Sequence, residues 1–345
     1  MSDGIEEFKE QYPSFDSYWR SIILFGRNVA SYKFALAKSL LEIAPTGETH
    51  ITLEELSIPF SKHLCEHVAK APRQATSQSS QFLEACKDFN AGKISKTQLI
   101  NITTAKGFNN VIDAFHVVNR SSIPVEFYKK DYSNGKKQII LTDEIFKLQE
   151  MPFAENFSIE TEARWNLVET AWELNVSKNL LNVRYDDTSQ LFFVDNDFRR
   201  KDVTSARGAL NGYQKGKCFY CYDDITVSDD STNTCDVDHF FPHTLQPLFP
   251  DINLDGVWNL VLTCQKCNRG EDGKFALVPA TKYLTRLHRR NEFLISSHHP
   301  LRETIIKQTG VTESERRSFL ASIDQRAIDA LIHRWETPEV APATF

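Results

Sequence analysis

The amino-acid sequence predicts an α+β protein: a mostly helical N-terminal domain with hairpins, then a small module of two strands and a helix, then C-terminal helices. Three observations support this prediction. Apolar residues recur at helical spacing through much of the first half of the chain. In the second half, two Cys-x-x-Cys pairs enclose a stretch that alternates like a strand. A chain of 345 residues is also too long for one small module, which favours two or more domains.

The first two hundred residues carry the helical signals. Apolar residues at helical spacing predict a helix over residues 18–44, which Pro45 and Gly47 end. Thr52 begins another helix with a capping box. Further helices are predicted over residues 80–90, 97–120 (with Gly107 as a break) and 160–174, and hairpins around 134–135 and 186–189. Because no repeat or nucleotide-binding loop accompanies these elements, we predict that residues 1–200 recognise a substrate or a partner.

Four cysteines of the second half have the spacing of a metal site. Cys218 and Cys221 form one pair, and Cys264 and Cys267 form the other, so the chain offers the four thiolates of a closed tetrahedral zinc site. Disulfides are disfavoured because the chain has seven cysteines and no signal peptide is evident. The spacing therefore predicts structural zinc, which a module with so little core needs in order to fold.

Between the cysteine pairs lies Asp238-His239 with Phe-Phe-Pro after it, and Asn259-Leu comes before the second pair, which ends against Asn268. This order resembles that of the HNH endonucleases, in the ββα-metal branch that a zinc knuckle supports. The family pattern runs Cys-x-x-Cys, Asp-His-x-x-Pro, Asn-Leu and Cys-x-x-Cys-Asn, and residues 216–279 contain each element in that order. Phe-Phe after the histidine and His243 after the proline depart from the commonest form.

The resemblance implies metal-dependent hydrolysis of DNA to 5′-phosphate and 3′-hydroxyl ends, with His239 as the general base. It implies that Asp238 and the side-chain carbonyl of Asn268 hold one Mg²⁺ or Mn²⁺ ion. Asn259 would tie the loop after the histidine to backbone groups. These residue types suit the roles, because imidazole exchanges a proton near neutral pH and Mg²⁺ prefers oxygen ligands. Prokaryotic restriction or anti-phage defence is the expected context.

Local patterns place the site on a strand, a long loop and a helix. Residues 235–241 alternate and predict a strand with His239 near its end, and residues 260–263 predict its antiparallel partner. The loop over 243–257 is rich in turn formers, and a short helix follows Cys264.

These patterns also set the predicted domain boundaries. A boundary at 195–205 and a helix over 206–213 lead into a nuclease domain at 206–295. Two helices split near Gly310 and a frayed tail follow over 296–345.

Charge does not favour bulk attraction to nucleic acid, since the net charge is −6. Basic residues cluster locally instead, with eight Lys or Arg against four Glu over residues 281–317. The predicted contacts to DNA phosphates are His243, Lys266, Arg269, Lys274, Arg286, Arg289 and Arg290. His243 is more simply explained as a solvated loop residue, and any one of these basic residues as ordinary solvated surface. Weak overall basicity indicates modest DNA affinity, or delivery by other protein subunits of a defence system.

Other features of the sequence limit the location and the possible functions of the protein. Apolar runs stay below the length of a membrane span and the first residues have no targeting character, so a cytoplasmic protein is expected. Two alternatives stay open: a zinc-supported nucleic-acid-binding module with a vestigial site, and a nuclease subunit that acts only inside a larger, guide-directed assembly. The presence of Asp238, His239 and Asn268 favours activity, whereas the acidic balance favours dependence on a partner.

Overall fold

The structure is a computed structural model that describes residues 15–25, 30–76, 80–118, 121–174, 182–196, 199–228, 233–297, 299–338 and 340–345. Helix and sheet are mixed, as an α+β class requires. The described residues divide into two compact units, the N-terminal unit (15–174) and the C-terminal unit (182–345). None of the helices in these ranges is both long and apolar enough to cross a membrane.

The N-terminal unit is mainly helical, as predicted. Its helices are α1 (Phe15–Phe25), α2 (Tyr32–Ile43), α3 (Leu53–Lys70), α4 (Gln81–Asn90), α5 (Lys96–Ile102), α6 (Val111–Ala114), α7 (Asp143–Gln149) and α8 (Glu155–Glu173). Its strands are β1 (His50–Thr52), β2 (Val117–Val118), β3 (Ser121–Ser122), β4 (Tyr128–Asp131) and β5 (Gln138–Leu141). The hairpin predicted around Asn134-Gly135 is β4–β5, and β1 extends it on the other side of β5.

Helix α2 packs against α3 and α8 around a buried aromatic centre. The rings of Phe34 and Trp165 stack with their centroids 5.9 Å apart. The imidazole of His67 also stacks on Trp165, with a centroid distance of 3.5 Å. His67 Nδ1 lies 2.8 Å from a carboxylate oxygen of Glu169, so the buried imidazole has a charged partner. A buried imidazole needs such a partner, because an unpaired polar group in the interior costs free energy.

The local signals of the N-terminal unit are confirmed at some positions and wrong at others. The Thr52 capping box is confirmed, because Thr52 Oγ1 accepts from the Glu55 N–H at 3.2 Å and the Glu55 carboxylate accepts from the Thr52 N–H at 2.8 Å. The single helix predicted over 18–44 is wrong, since α1 and α2 are separate helices and Ala30 forms a β-bridge with Ala75. The helix predicted over 97–120 is also interrupted, first by a π-helical turn at Thr103–Gly107 and finally by β2.

The C-terminal unit contains the cysteine pairs and the Asp-His motif. Its strands are β6 (Arg184–Asp186), β7 (Leu191–Asn196), β8 (Arg199–Ser205), β9 (Asp236–His239), β10 (Leu260–Thr263), β11 (Val278–Pro279) and β12 (Arg334–Trp335). Its helices are α9 (Ala206–Gln214), α10 (Gln265–Arg269), α11 (Thr281–Ser296), α12 (Arg302–Thr309) and α13 (Glu313–Leu331). Strands β6, β7 and β8 form an antiparallel sheet, β9 pairs with β10, and β11 runs parallel to β12.

Two boundaries differ from prediction. The units divide between residues 175 and 176, ahead of the predicted 195–205, because residues 199–205 are a strand of the β6–β7–β8 sheet and not a linker. Residues 296–345 belong to the same compact unit as 206–295. The end of the chain is packed and not frayed: Phe345 is 7% exposed, its ring meets that of Tyr222 at 4.9 Å, and Ala341 donates to the carbonyl of Cys221.

Candidate functional site

Strands β9 and β10 and helix α10 form the framework of the site. The antiparallel register pairs His239 with Leu260 and Asp236 with Thr263, and α10 begins two residues after β10. Val237 of β9 and the Leu-Val-Leu run of β10 are buried and favour strands, whereas the other two buried residues of β9 are Asp238 and His239. His239 is the last residue of β9, so its side chain stands where the strand ends and the long loop begins.

The four cysteine sulfurs converge within 4.8 Å of one another. Cys221 Sγ and Cys264 Sγ are 3.7 Å apart, far beyond a disulfide bond of about 2.05 Å. A tetrahedral ion with metal–sulfur bonds of about 2.3 Å would place its sulfurs about 3.8 Å apart. The Cys267 N–H also points at Cys264 Sγ (3.4 Å), and hydrogen bonds from Cys218, Cys221 and Cys267 hold the pKa of Cys264 well below its usual range. This cluster can hold a metal such as zinc.

A second cluster surrounds His239. Asp255 Oδ1 lies 2.9 Å from His239 Nε2 and 2.8 Å from His243 Nδ1. The hydrogen bond from His239 is the largest cause that lowers the pKa of Asp255, so this carboxylate is ionised at neutral pH and can only accept. Both facing ring nitrogens must therefore donate, which leaves His239 Nδ1 free to take a proton. These three groups lie within 4.8 Å and could also hold a cation.

Exposure differs across this cluster in a way that matters for chemistry. The His239 side chain is only 11% exposed, that of Asp255 is 29% exposed and that of His243 is 58% exposed. Tyr185 of β6 packs edge-on against the His239 ring, with centroids 6.1 Å apart. The largely buried imidazole of His239 and the exposed imidazole of His243 therefore share one carboxylate, that of Asp255.

Asp238 is not arranged as a metal ligand. Its Oδ2 accepts from the Tyr220 hydroxyl at 2.8 Å, and its Oδ1 lies 3.0 Å from Lys274 Nζ. Burial raises the pKa of Asp238, and Lys274 and Tyr220 oppose that effect. Mg²⁺ retains several waters when it binds a carboxylate, whereas Asp238 is 7% exposed and both of its oxygens are engaged. The predicted Mg²⁺ or Mn²⁺ site on Asp238 therefore does not fit this arrangement.

Asn268 bonds through its amide nitrogen and not through the carbonyl that is predicted as a metal ligand, and Asn259 lies in the interior. The amide of Asn268 donates to Asp236 at 3.0 Å. Asn259 is fully buried, where its Oδ1 accepts from the Phe241 N–H and its Nδ2 donates to the carbonyls of Phe241 and Leu254. These bonds join the start of the long loop to its end, so Asn259 shapes the loop that carries Asp255.

Three of the predicted DNA contacts are occupied by structural bonds. Arg290 is 3% exposed and donates to the carbonyls of Val257, Trp258 and Leu260, which removes it from phosphate contact. Lys274 is fully buried beside Asp238. Arg286 donates to the carbonyls of Phe219 and Tyr220 inside the first cysteine pair and lies 4.1 Å from the Tyr222 ring centroid. We correct the prediction at these three positions: they stabilise the module.

The remaining candidates lie at the surface. Lys266 and Arg289 are exposed, and Arg269 has a 59% exposed side chain that is paired with Asp236 at 3.1 Å. His243, predicted as a solvated residue in preference to a ligand, is exposed but belongs to the Asp255 cluster.

Sequence reasoning missed Asp255, Tyr220 and the buried role of Lys274. Asp255 lies sixteen positions from His239 in a turn-rich loop, and nothing in its neighbours marks it as a partner of the imidazole. Tyr220 had one signal, its place between the paired cysteines. Comparison of the chain with family models, curated proteins and solved structures found no match.

Proposed function

We propose that the C-terminal unit is an HNH-type endonuclease that hydrolyses phosphodiester bonds of DNA, with His239 as its general base. The observation that carries this proposal is the bond between His239 Nε2 and Asp255 Oδ1 at the end of β9, in a unit whose ββα segment also brings four thiols together. A base held by a carboxylate is the arrangement that general-base chemistry requires.

The proton path follows from that bond. Asp255 holds the imidazole with its Nε2 proton in place, so Nδ1 accepts a proton from water. The hydroxide oxygen then bonds to phosphorus while the bond from phosphorus to the 3′ oxygen breaks. Solvent protonates the departing oxygen, and the products are a 5′-phosphate and a 3′-hydroxyl. The Asp255 carboxylate stabilises the imidazolium that forms, as an orienting carboxylate does in hydrolytic triads.

The surface beside His239 supports a phosphate substrate. His243 is the exposed member of the cluster, and two exposed cations, Lys266 and Arg269, lie on helix α10, where Arg269 pairs with Asp236 at the start of β9. Such side chains contact phosphates without reading sequence. The resemblance implies one Mg²⁺ or Mn²⁺ ion in addition. Because Asp238 does not fit that ion as it is paired, the proton path above depends on His239 and Asp255 alone.

The test is cleavage of supercoiled plasmid by the purified chain with Mg²⁺ or with Mn²⁺. His239→Ala should lower the cleavage rate about 10²- to 10⁴-fold with an unchanged melting temperature. His50→Ala, which alters an exposed histidine of the N-terminal unit, is the matched control and should cut like the parent. Equal cleavage by the His239→Ala protein would reject the proposal. DNA binding without any cleavage by the parent would favour a binding module instead.

A further inference from the structure

Phe275 has an exposed aromatic side chain and a positive φ, and both are unfavourable for a phenylalanine. Its side chain is 56% exposed, although a large aromatic ring gains free energy by burial. Its φ is 46°, in the left-handed region that glycine tolerates and side chains with a Cβ resist. Residues that keep such a conformation concentrate at functional sites, where the surrounding structure imposes it.

The surrounding bonds show what imposes it here. Helix α10 ends at Arg269, and Gly270 caps it by donating to the carbonyl of Lys266. Beyond this cap, successive N–H groups of Lys274 and Phe275 donate to the carbonyls of Cys267 (2.7 Å) and Asn268 (2.9 Å) of the same helix. These two bonds hold the backbone of Phe275 against the last turn of α10 in its left-handed conformation.

The same segment is fixed to the end of the catalytic strand. The buried ammonium of Lys274 donates to the carbonyl of His239 at 2.9 Å and to the carbonyl of Phe275 at 3.3 Å. One donor thus joins the two backbones and places the backbone of Phe275 near the His239 end of β9, with its ring exposed. Among the described residues, none makes a ring or cation contact with Phe275.

We propose that Phe275 stacks on an unpaired base next to the phosphate that His239 attacks, so that the substrate is single-stranded or locally opened DNA. This inference rests on the proposed function. Stacking needs a free base face, which a paired and stacked duplex does not offer to a ring at the protein surface. The exposed guanidinium of Arg269 on the adjacent helix supplies the positive charge for the neighbouring phosphate.

The experiment compares two fluorescent oligonucleotides of equal length without added divalent metal: oligothymidylate, and an abasic chain with the same phosphates and no bases. Anisotropy should show that the parent binds oligothymidylate about 5- to 100-fold more tightly than the abasic chain. Phe275→Gly should abolish this preference while leaving affinity for the abasic chain unchanged. Phe275→Trp should retain it.

The matched control is Ile332→Gly, because Ile332 is another exposed apolar residue (73%) with a positive φ (65°), at the end of α13. Glycine relieves the backbone at both positions, so neither variant should melt below the parent. The inference is overturned if the preference for oligothymidylate survives in Phe275→Gly or is absent from the parent. Either result is what a protein-docking role for the Phe275 ring would give. The proposed function fails separately, through equal cleavage by the parent and by His239→Ala.

Discussion

Replacing Asp238 with alanine would leave the ammonium of Lys274 buried without its counter-charge. Lys274 is fully buried and Asp238 is 7% exposed, so water cannot take over the lost interaction. Removing one partner of a buried ion pair costs about 3–5 kcal/mol, because the remaining charge keeps its desolvation penalty. The Tyr220 hydroxyl would lose its acceptor as well.

For a unit the size of Val176–Phe345, a loss of that magnitude lowers the melting temperature by roughly 6–20 °C. Differential scanning calorimetry in the presence of zinc measures it on the transition of the C-terminal unit. Asp255→Ala is the control, since that carboxylate is 29% exposed and its removal should shift the transition by a few degrees at most.

A second variant separates lost pairing from lost packing. Asp238→Leu combined with Lys274→Met replaces the pair by apolar groups of similar size, which is often close to neutral for buried pairs. We expect partial recovery only, because the carbonyls of His239 and Phe275 lose the ammonium that they accept from. A melting temperature of Asp238→Ala within 2 °C of the parent would show that the pair does not exist in solution and would restore Asp238 as a candidate metal ligand.

Three further predictions follow from the bonds described above. Cys264→Ser should lower bound zinc below one equivalent per chain and unfold the C-terminal unit, which metal analysis beside a melt would measure; full zinc content in a stable variant would contradict the four-thiol site. Arg290→Ala should destabilise the protein by about 1–3 kcal/mol, because the carbonyls of Val257, Trp258 and Leu260 lose the guanidinium that donates to them. Arg289→Ala should keep stability and reduce the salt dependence of DNA binding; the reverse pattern would contradict the burial of Arg290. Burial raises the pKa of Glu162, but His67 and Lys38 outweigh burial and lower this pKa to about 2. The stability that ionised Glu162 contributes is therefore complete above about pH 4.5 and is lost as pH falls towards 2. Glu162→Gln should flatten that part of a stability–pH curve, and an unchanged slope would refute this prediction.

Local chemistry accounts for the parts of the fold that were predictable. The Thr52 capping box, the Asn134-Gly135 turn and the break at Gly310 each act within a few residues, and each marks an element end in the structure. The failures have distant causes. Ala30 is set by its bridge to Ala75, and residues 199–205 become a strand because β7 offers a free edge.

The same division holds for the candidate site. Spacing predicted that the four cysteines meet, since two Cys-x-x-Cys turns can each present two thiolates to one ion. It also placed His239 at a strand end with β10 as the partner of its strand. It did not predict that Asp255 meets the imidazole or that Lys274 meets Asp238, because both contacts depend on how a long loop and a helix end fold back over β9.

The position of the basic residues affects how the proposed DNA substrate would be bound. The sequence predicts Arg290, Lys274 and Arg286 as phosphate contacts, yet their donors go to backbone carbonyls and to Asp238. The cations that stay outside near the site are few, and the whole chain has a net charge of −6. Each phosphate contact contributes a salt-dependence slope of about 0.7–0.9, so electrostatic attraction here should give a shallow slope and weak non-specific binding. Affinity then has to come from contacts that salt does not screen, and the exposed ring of Phe275, whose backbone Lys274 ties to that of His239, offers a contact of that kind.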